Sequence, residues 1–292
     1  MNNLNGILLL VGSMAAFAIE DMFIKRLSVS VPTGQILVVL GVVCGVAFAL
    51  LTVASRKRIF EPAAWKAVPL IRASTEGVAA VAFVTALSSI DLSTVAAVFQ
   101  ALPLVITMGA ALFLGETVGW RRWSAIGVGF IGVLMIIRPG LEGFQPETLL
   151  VILSVVLIAA RDLITRRLDT RVPSTVVAMQ AYLSATLAGA VLMIWADQPV
   201  VPLQSAHVFP YLAAFLSSML GYYGIVAAMR VGEASAMMPF RYTRLVFSMI
   251  AGMLMFNERP DAMTLAGASL IIASGLYTFV RERRLARQLA IA

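Results

Sequence analysis

The sequence predicts an all-α, polytopic membrane protein with ten transmembrane helices in two inverted repeats of five, from its composition and an internal repeat. Of its 292 residues, 60% are apolar and only 13% are charged, whereas a soluble domain carries about 25% charge. The apolar residues form runs of about 20, the length of helix that crosses a hydrocarbon layer about 30 Å thick. Runs of this length favour helices over a barrel, whose strands alternate in polarity.

Short connections separate the apolar runs and leave no room for a soluble domain between them. The ten runs are 4–24, 34–54, 70–89, 93–114, 120–137, 148–165, 174–195, 209–229, 235–256 and 263–280.

The basic residues indicate how the chain faces the membrane. With both termini in the cytoplasm, fourteen Lys and Arg residues fall in cytoplasmic connections and the C-terminal tail, and four fall outside. This distribution satisfies the positive-inside rule and predicts a cytoplasmic-membrane protein with cytoplasmic termini. The net charge of +7 is therefore explained by topology, and no nucleic-acid partner is expected.

The two halves of the chain match at an offset of about 141 residues. The matched segments are 21–27 with 162–168, 31–33 with 172–174, 90–93 with 232–235, and 114–116 with 256–258. Because each half holds five helices, an odd number, the second half enters the membrane inverted. We therefore predict two five-helix repeats, 1–140 and 141–292. Inverted repeats are typical of secondary transporters, which bind substrate near the midplane and work by alternating access.

The fourth run carries a signature that continues from Ser93 through Pro103 to Glu116, and the ninth run repeats it from Ala234 to Glu258. This signature resembles EamA-type carriers of the drug/metabolite transporter superfamily and, within it, the YddG-type amino-acid exporters. The resemblance implies ten helices, cytoplasmic termini, and export of amino acids or related metabolites. The second copy departs from the pattern at Asn257, where the family favours Gly, and at Leu245, which replaces the proline.

The inventory of reactive residues argues against catalysis. His207 is the single histidine and Cys44 the single cysteine, so no metal site, cofactor or catalytic residue is predicted. A membrane-embedded enzyme or scaffold is the disfavoured class. The expected partners are a small-molecule substrate and the bilayer, and ten helices suffice to enclose a pathway within a monomer. The alternative function is a carrier of another solute class, such as nucleotide-linked sugars, cationic drugs or adenosylated metabolites.

Two arginines lie inside the ninth run. Counting about 1.5 Å per residue from Ser235, Arg241 lies about 9 Å deep and Arg244 about 13 Å. Arg244, helped by Arg241 and flanked by Tyr242, is predicted to bind a substrate carboxylate in a central cavity. The alternatives are structural salt bridges to neighbouring helices, or snorkelling of Arg241 to the interface.

Acidic residues give two further hypotheses. Glu76 lies four residues after Arg72, so an i, i+4 ion pair competes with recognition of a substrate ammonium or transport of a proton. Asp21 and Asp162 are repeat partners. Each is predicted either to pair with the basic residue four positions later, Lys25 or Arg166, or to belong to a gate, Asp21 to an outer gate and Asp162 to an inner one.

The fourth run also carries a hinge candidate. Pro103 removes a backbone hydrogen bond and permits a kink, and Gln100 could bond the freed carbonyl or the substrate. Phe99 and Tyr222 are predicted to contribute to an adaptable apolar wall of the binding site.

Overall fold

The computed structural model describes residues 3–116, 119–141, 143–169, 171–231 and 238–291, and this part of the chain contains helices and no strand. The helices are α1 Asn3–Leu27, α2 Thr33–Ala54, α3 Ala67–Ser89, α4 Leu92–Phe99, α5 Leu102–Phe113, α6 Trp120–Ile137, α7 Thr148–Thr165, α8 Ser174–Trp195, α9 Ser205–Val231, α10 Thr243–Phe256 and α11 Ala262–Ile291. Short 3-10 turns cover Pro62–Trp65 and Met238–Tyr242.

The predicted fold class is confirmed. Within the described ranges, nine helical segments are long and apolar enough to cross a membrane, counting α4 and α5 together as one. The run predicted over 93–114 is thus a broken helix, interrupted at Gln100 and Ala101. The run predicted over 235–256 corresponds to the second 3-10 turn followed by α10, and its residues 235–237 lie outside the described residues.

Two features of the sequence repeat have structural counterparts. Thr33 and Ser174, which the repeat aligns, begin α2 and α8, each directly after a proline. After α5 and α10, Gly115 and Asn257 both have a positive φ, 69° and 52°. Glycine adopts this left-handed conformation without strain, and asparagine does so more readily than most residues. Asn257 therefore preserves the backbone turn although it departs from the family pattern.

One compact unit comprises residues 23–89 and 149–216. Within it, α2 and α3 both pack against α8. A Cβ atom added at Gly189 would lie 2.8 Å from the carbonyl oxygen of Gly34. Because this distance is too short for a side chain, glycine is needed for the close approach of α2 and α8.

The second compact unit comprises residues 1–22, 90–148 and 217–292, to the extent that these are described. Here α6 packs against α11 and α4 against α10. A Cβ atom at Gly132 would lie 2.6 Å from the carbonyl oxygen of Gly267, and the reverse distance is 2.5 Å. Each compact unit therefore takes segments from both halves of the chain and joins them through close helix contacts.

Candidate functional site

The first part of the candidate site is one face of α1. Phe17, Glu20 and Asp21 are separated by three and four residues, so their side chains share a helix face. Asp21 is buried, with 4% of the residue exposed, and Phe17 and Glu20 are half-buried. An apolar helix thus carries two adjacent carboxylates and an aromatic ring on one side.

The helix break before α5 supplies a second aromatic ring. Pro103 has no N–H to donate to the carbonyl of Phe99, four residues earlier, and its ring would clash with that carbonyl in a continuous helix. Helix α4 accordingly ends at Phe99, and Pro103 lies in the first turn of α5. The half-buried Phe99 is therefore the last residue of a short, proline-terminated helix.

Arg244, the second residue of α10, joins these elements. Its Nη2 atom lies 2.7 Å from Oδ2 of Asp21. Its Cζ atom lies 5.4 Å from the ring centroid of Phe17 and 5.1 Å from that of Phe99, within the range of cation–π attraction. The Arg244 side chain is 20% exposed. One guanidinium is therefore paired with a buried carboxylate, bordered by two rings and still partly accessible.

Glu20 adds a second carboxylate beside this ion pair. It interacts electrostatically with Asp21 and Arg244. It also accepts a hydrogen bond from Ser218, a buried residue of α9. We refer to Arg244, Asp21, Glu20, Phe17 and Phe99 as the Arg244 cluster. Its charged groups are one guanidinium and two carboxylates. The sequence prediction omitted Glu20, although an acid adjacent to Asp21 inside an apolar run was a usable signal.

A second set of charged residues lies in the other compact unit. The Glu76 carboxylate lies 2.8 Å from Nη1 of Arg72 and 2.6 Å from Nη1 of Arg161. Arg161 also binds Asp162, with 2.8 Å between Nη2 and Oδ1, and Arg72 donates to Thr165 at 3.1 Å. We refer to Glu76, Arg72, Arg161 and Asp162 as the Glu76 cluster. It holds two cations and two anions.

The structure divides the predicted site residues between these clusters. Arg244, Phe99 and Asp21 come together, and Glu76 and Asp162 come together in the other unit. The predicted i, i+4 pair of Glu76 with Arg72 is confirmed. Asp21 is bonded to Arg244, a helix-to-helix bridge of the kind considered for the arginines. The remaining predicted residues lie in the Arg244 unit: Gln100 is buried, Arg241 is exposed, Tyr222 is half-buried, Tyr242 packs against Gly275, and Pro103 breaks the helix.

Glu258 has a structural role that the sequence did not reveal. Its Oε1 atom accepts the Leu92 N–H at 2.7 Å, and its Oε2 atom accepts the N–H and hydroxyl of Ser93 at 2.9 and 2.7 Å. The first N–H groups of a helix have no partner within the helix. The acid after α10 therefore caps the N-terminus of α4 and fixes the short helix that ends at Phe99.

Two acids outside the spans are engaged by arginines. A hydrogen bond from Arg138 holds the pKa of the Asp261 carboxyl well below its usual range. Hydrogen bonds from Arg171 lower the pKa of Asp169 to about 2. Both carboxylates stay ionised near neutral pH, so neither suits a proton carrier. In the part of the chain that the structure covers, no group of His, Cys, Asp or Glu residues could hold a metal ion.

These features define a polytopic helical membrane protein with a charged cluster on its membrane helices, as transporters have. The sequence model of the EamA-like transporter family matches residues 4–138 and again residues 145–280. The chain belongs to this family and contains two EamA repeats. The predictions of a drug/metabolite-type transporter and of two repeats are confirmed.

Several curated relatives are transporters of small metabolites, not enzymes. An S-adenosylmethionine uptake transporter of Rickettsia conorii is 29% identical over 66% of this chain, and the chain spans 64% of that relative's length. A riboflavin transporter of Rhizobium johnstonii is 30% identical over 71% of the chain and 68% of the relative. A pseudopaline exporter of Pseudomonas aeruginosa is 26% identical over 92% and 94%.

A solved crystal structure shares the fold. It has a TM-score of 0.64 and 18% sequence identity, and the match covers 96% of this chain and 98% of that chain.

Proposed function

We propose that this chain is a secondary transporter that exports amino acids or related small metabolites across the cytoplasmic membrane by alternating access. Both termini would lie in the cytoplasm, as the distribution of Lys and Arg supports. The observation that carries the proposal is the partly exposed guanidinium of Arg244, which lies within cation–π distance of two aromatic rings and is bonded to one carboxylate.

Exchange of ion-pair partners would bind the substrate. A guanidinium presents parallel N–H donors that fit a carboxylate. A substrate carboxylate would take the place of Asp21 on Arg244, and the released Asp21 would accept the substrate ammonium. Each charge then keeps a partner, which matters because an unpaired charge inside hydrocarbon is costly. Phe17 and Phe99 would contact the apolar part of the substrate.

The broken fourth span would give this site its movable part. Phe99 precedes the break at Gln100 and Ala101, so a change of angle there would move the ring relative to α5. We assign Pro103 to the hinge and Asp21 to a gate that opens when its bond to Arg244 breaks. Asp162, held by Arg161, is proposed for the opposite gate.

Flux in proteoliposomes tests this proposal. The purified protein is reconstituted, and efflux of a panel of labelled amino acids is measured with and without a proton gradient. We expect flux of at least one amino acid in the wild type and its loss in Arg244→Gln, with partial activity in Arg244→Lys. Arg171→Gln is the matched control, because it removes an arginine of an exposed pair. Normal flux in a well-folded Arg244→Gln protein would contradict the role of Arg244.

A carrier of adenosylated metabolites is the second candidate. The rickettsial relatives are S-adenosylmethionine uptake transporters, and the two rings beside Arg244 offer surfaces for a flat aromatic group. Excess S-adenosylmethionine should then compete with the labelled substrate. Comparison of inside-out with right-side-out vesicles determines the direction of transport.

A further inference from the structure

With Glu20 ionised, the Arg244 cluster has one more negative charge than positive charges. Arg244 is bonded to Asp21, and Glu20 lies in the electrostatic range of both. Ser218, which hydrogen-bonds Glu20, is neutral and cannot compensate a carboxylate. The Glu76 cluster shows the contrasting arrangement, because its two carboxylates face two guanidinium groups.

A zwitterionic substrate leaves this excess unchanged. Its carboxylate binds Arg244 and its ammonium binds Asp21, so the substrate adds no net charge to the cluster. A substrate with one further cation brings the cluster to neutrality. Since uncompensated charge is expensive within the membrane, the cluster should favour the second kind of ligand.

We propose that Glu20 is a specificity-determining residue that binds a second positive charge on the substrate, so that the transporter prefers amino-acid-type metabolites with a net positive charge. This inference rests on the proposed function, since Arg244 and Asp21 hold the other two groups. Glu20 is half-buried and not fully enclosed. The hydrogen bond from Ser218 orients its carboxyl group.

Arginine and citrulline are suitable probes. They have nearly the same shape and the same backbone carboxylate and ammonium, but only arginine carries the additional side-chain cation. A ligand that forms one more hydrogen bond between charged groups is favoured by about tenfold or more over a ligand that lacks it. We therefore expect wild-type protein in proteoliposomes to transport arginine about tenfold more efficiently than citrulline, measured as kcat/KM.

Glu20→Gln tests the residue. Glutamine has the same size and can keep the bond with Ser218, so the fold should be preserved; size-exclusion elution and thermal unfolding check this. We expect the ratio of kcat/KM for arginine to kcat/KM for citrulline to fall from about ten to about one. Glu20→Asp, which retains the charge, should keep most of the preference. Glu61→Gln removes an acid outside the membrane spans and serves as the matched control.

Three outcomes would overturn the inference. One is a wild type without arginine preference, and another is a Glu20→Gln protein that retains it. The third is citrulline transport that depends on pH in the wild type but not in Glu20→Gln. Glu20 would then bind a proton and not a cationic group of the substrate. Citrulline flux in Arg244→Gln tests the proposed function separately. A wild type that moves neither amino acid shows no arginine preference, which is the first of these outcomes, and the panel of labelled amino acids then decides the proposed function.

Discussion

The Arg244 cluster and the Glu76 cluster are both sets of charges on membrane helices. They differ in the ratio of cations to anions and in the number of oxygen partners of each guanidinium. In the Glu76 cluster, each guanidinium has several oxygen partners, and cations equal anions. In the Arg244 cluster, one guanidinium has one carboxylate and two aromatic neighbours, beside a second acid. The balanced charges of the Glu76 cluster suit a role in holding its helices together, whereas the Arg244 cluster retains capacity for a ligand.

The largest expected effect is in the Arg244 cluster. Arg244→Gln leaves the buried Asp21 carboxylate without its partner, and breaking a buried pair costs about 3 to 5 kcal/mol. Asp21→Asn in the same protein removes the orphaned charge. We therefore expect the double variant to recover stability, measured as the free energy of unfolding in detergent, without recovering flux. Recovery of flux as well would show that the pair is purely structural and would remove the contrast between the clusters.

A smaller effect is expected from Arg161→Gln in the Glu76 cluster. This guanidinium bonds two carboxylates, and losing hydrogen bonds to a charged group costs about 1.5 to 3 kcal/mol. Protein that remains folded should transport with unchanged KM, since we assign no substrate contact to this cluster. A raised KM, or loss of proton dependence in Glu76→Gln, would instead place substrate or proton binding there.

The smallest effect is expected at the helix break. Pro103→Ala restores the N–H that can bond the Phe99 carbonyl and so favours a continuous helix through Gln100 and Ala101. Stability should be unchanged or slightly raised, and turnover should fall severalfold because Phe99 is displaced from Arg244. Ala111→Gly, farther along α5, is the control for a general change in helix stability. Unchanged turnover would argue against the hinge.

Local patterns in the sequence predicted the spans well. Helix α6 begins and ends at the residues of the run 120–137, and α8 at those of 174–195, because apolar length and end signals are properties of neighbouring residues. The pairing of Arg72 with Glu76 was predictable for the same reason. Pro103 indicated a kink within 93–114, although hydropathy alone predicted one continuous run.

Long-range pairings could not be derived in this way. Asp21 and Arg244 are separated by 223 residues, and spacing carries no information about such a contact. Spacing offers Lys25 as the local partner of Asp21, but the structure bonds this carboxylate to Arg244. The Lys25 ammonium donates to the Leu87 carbonyl at 3.4 Å. Glu20 is visible in the sequence as a second acid in an apolar run, but the charge count that gives it a role exists only in the folded chain.

The cap that Glu258 places on α4 also constrains how this family can vary. Three hydrogen bonds converge on one carboxylate, and two of them come from Ser93. A neutral residue at 258, or a bulky one at 93, would undo the arrangement unless the other position changed as well. Substitutions at these two sites, 165 residues apart, should therefore occur together in the history of the repeats.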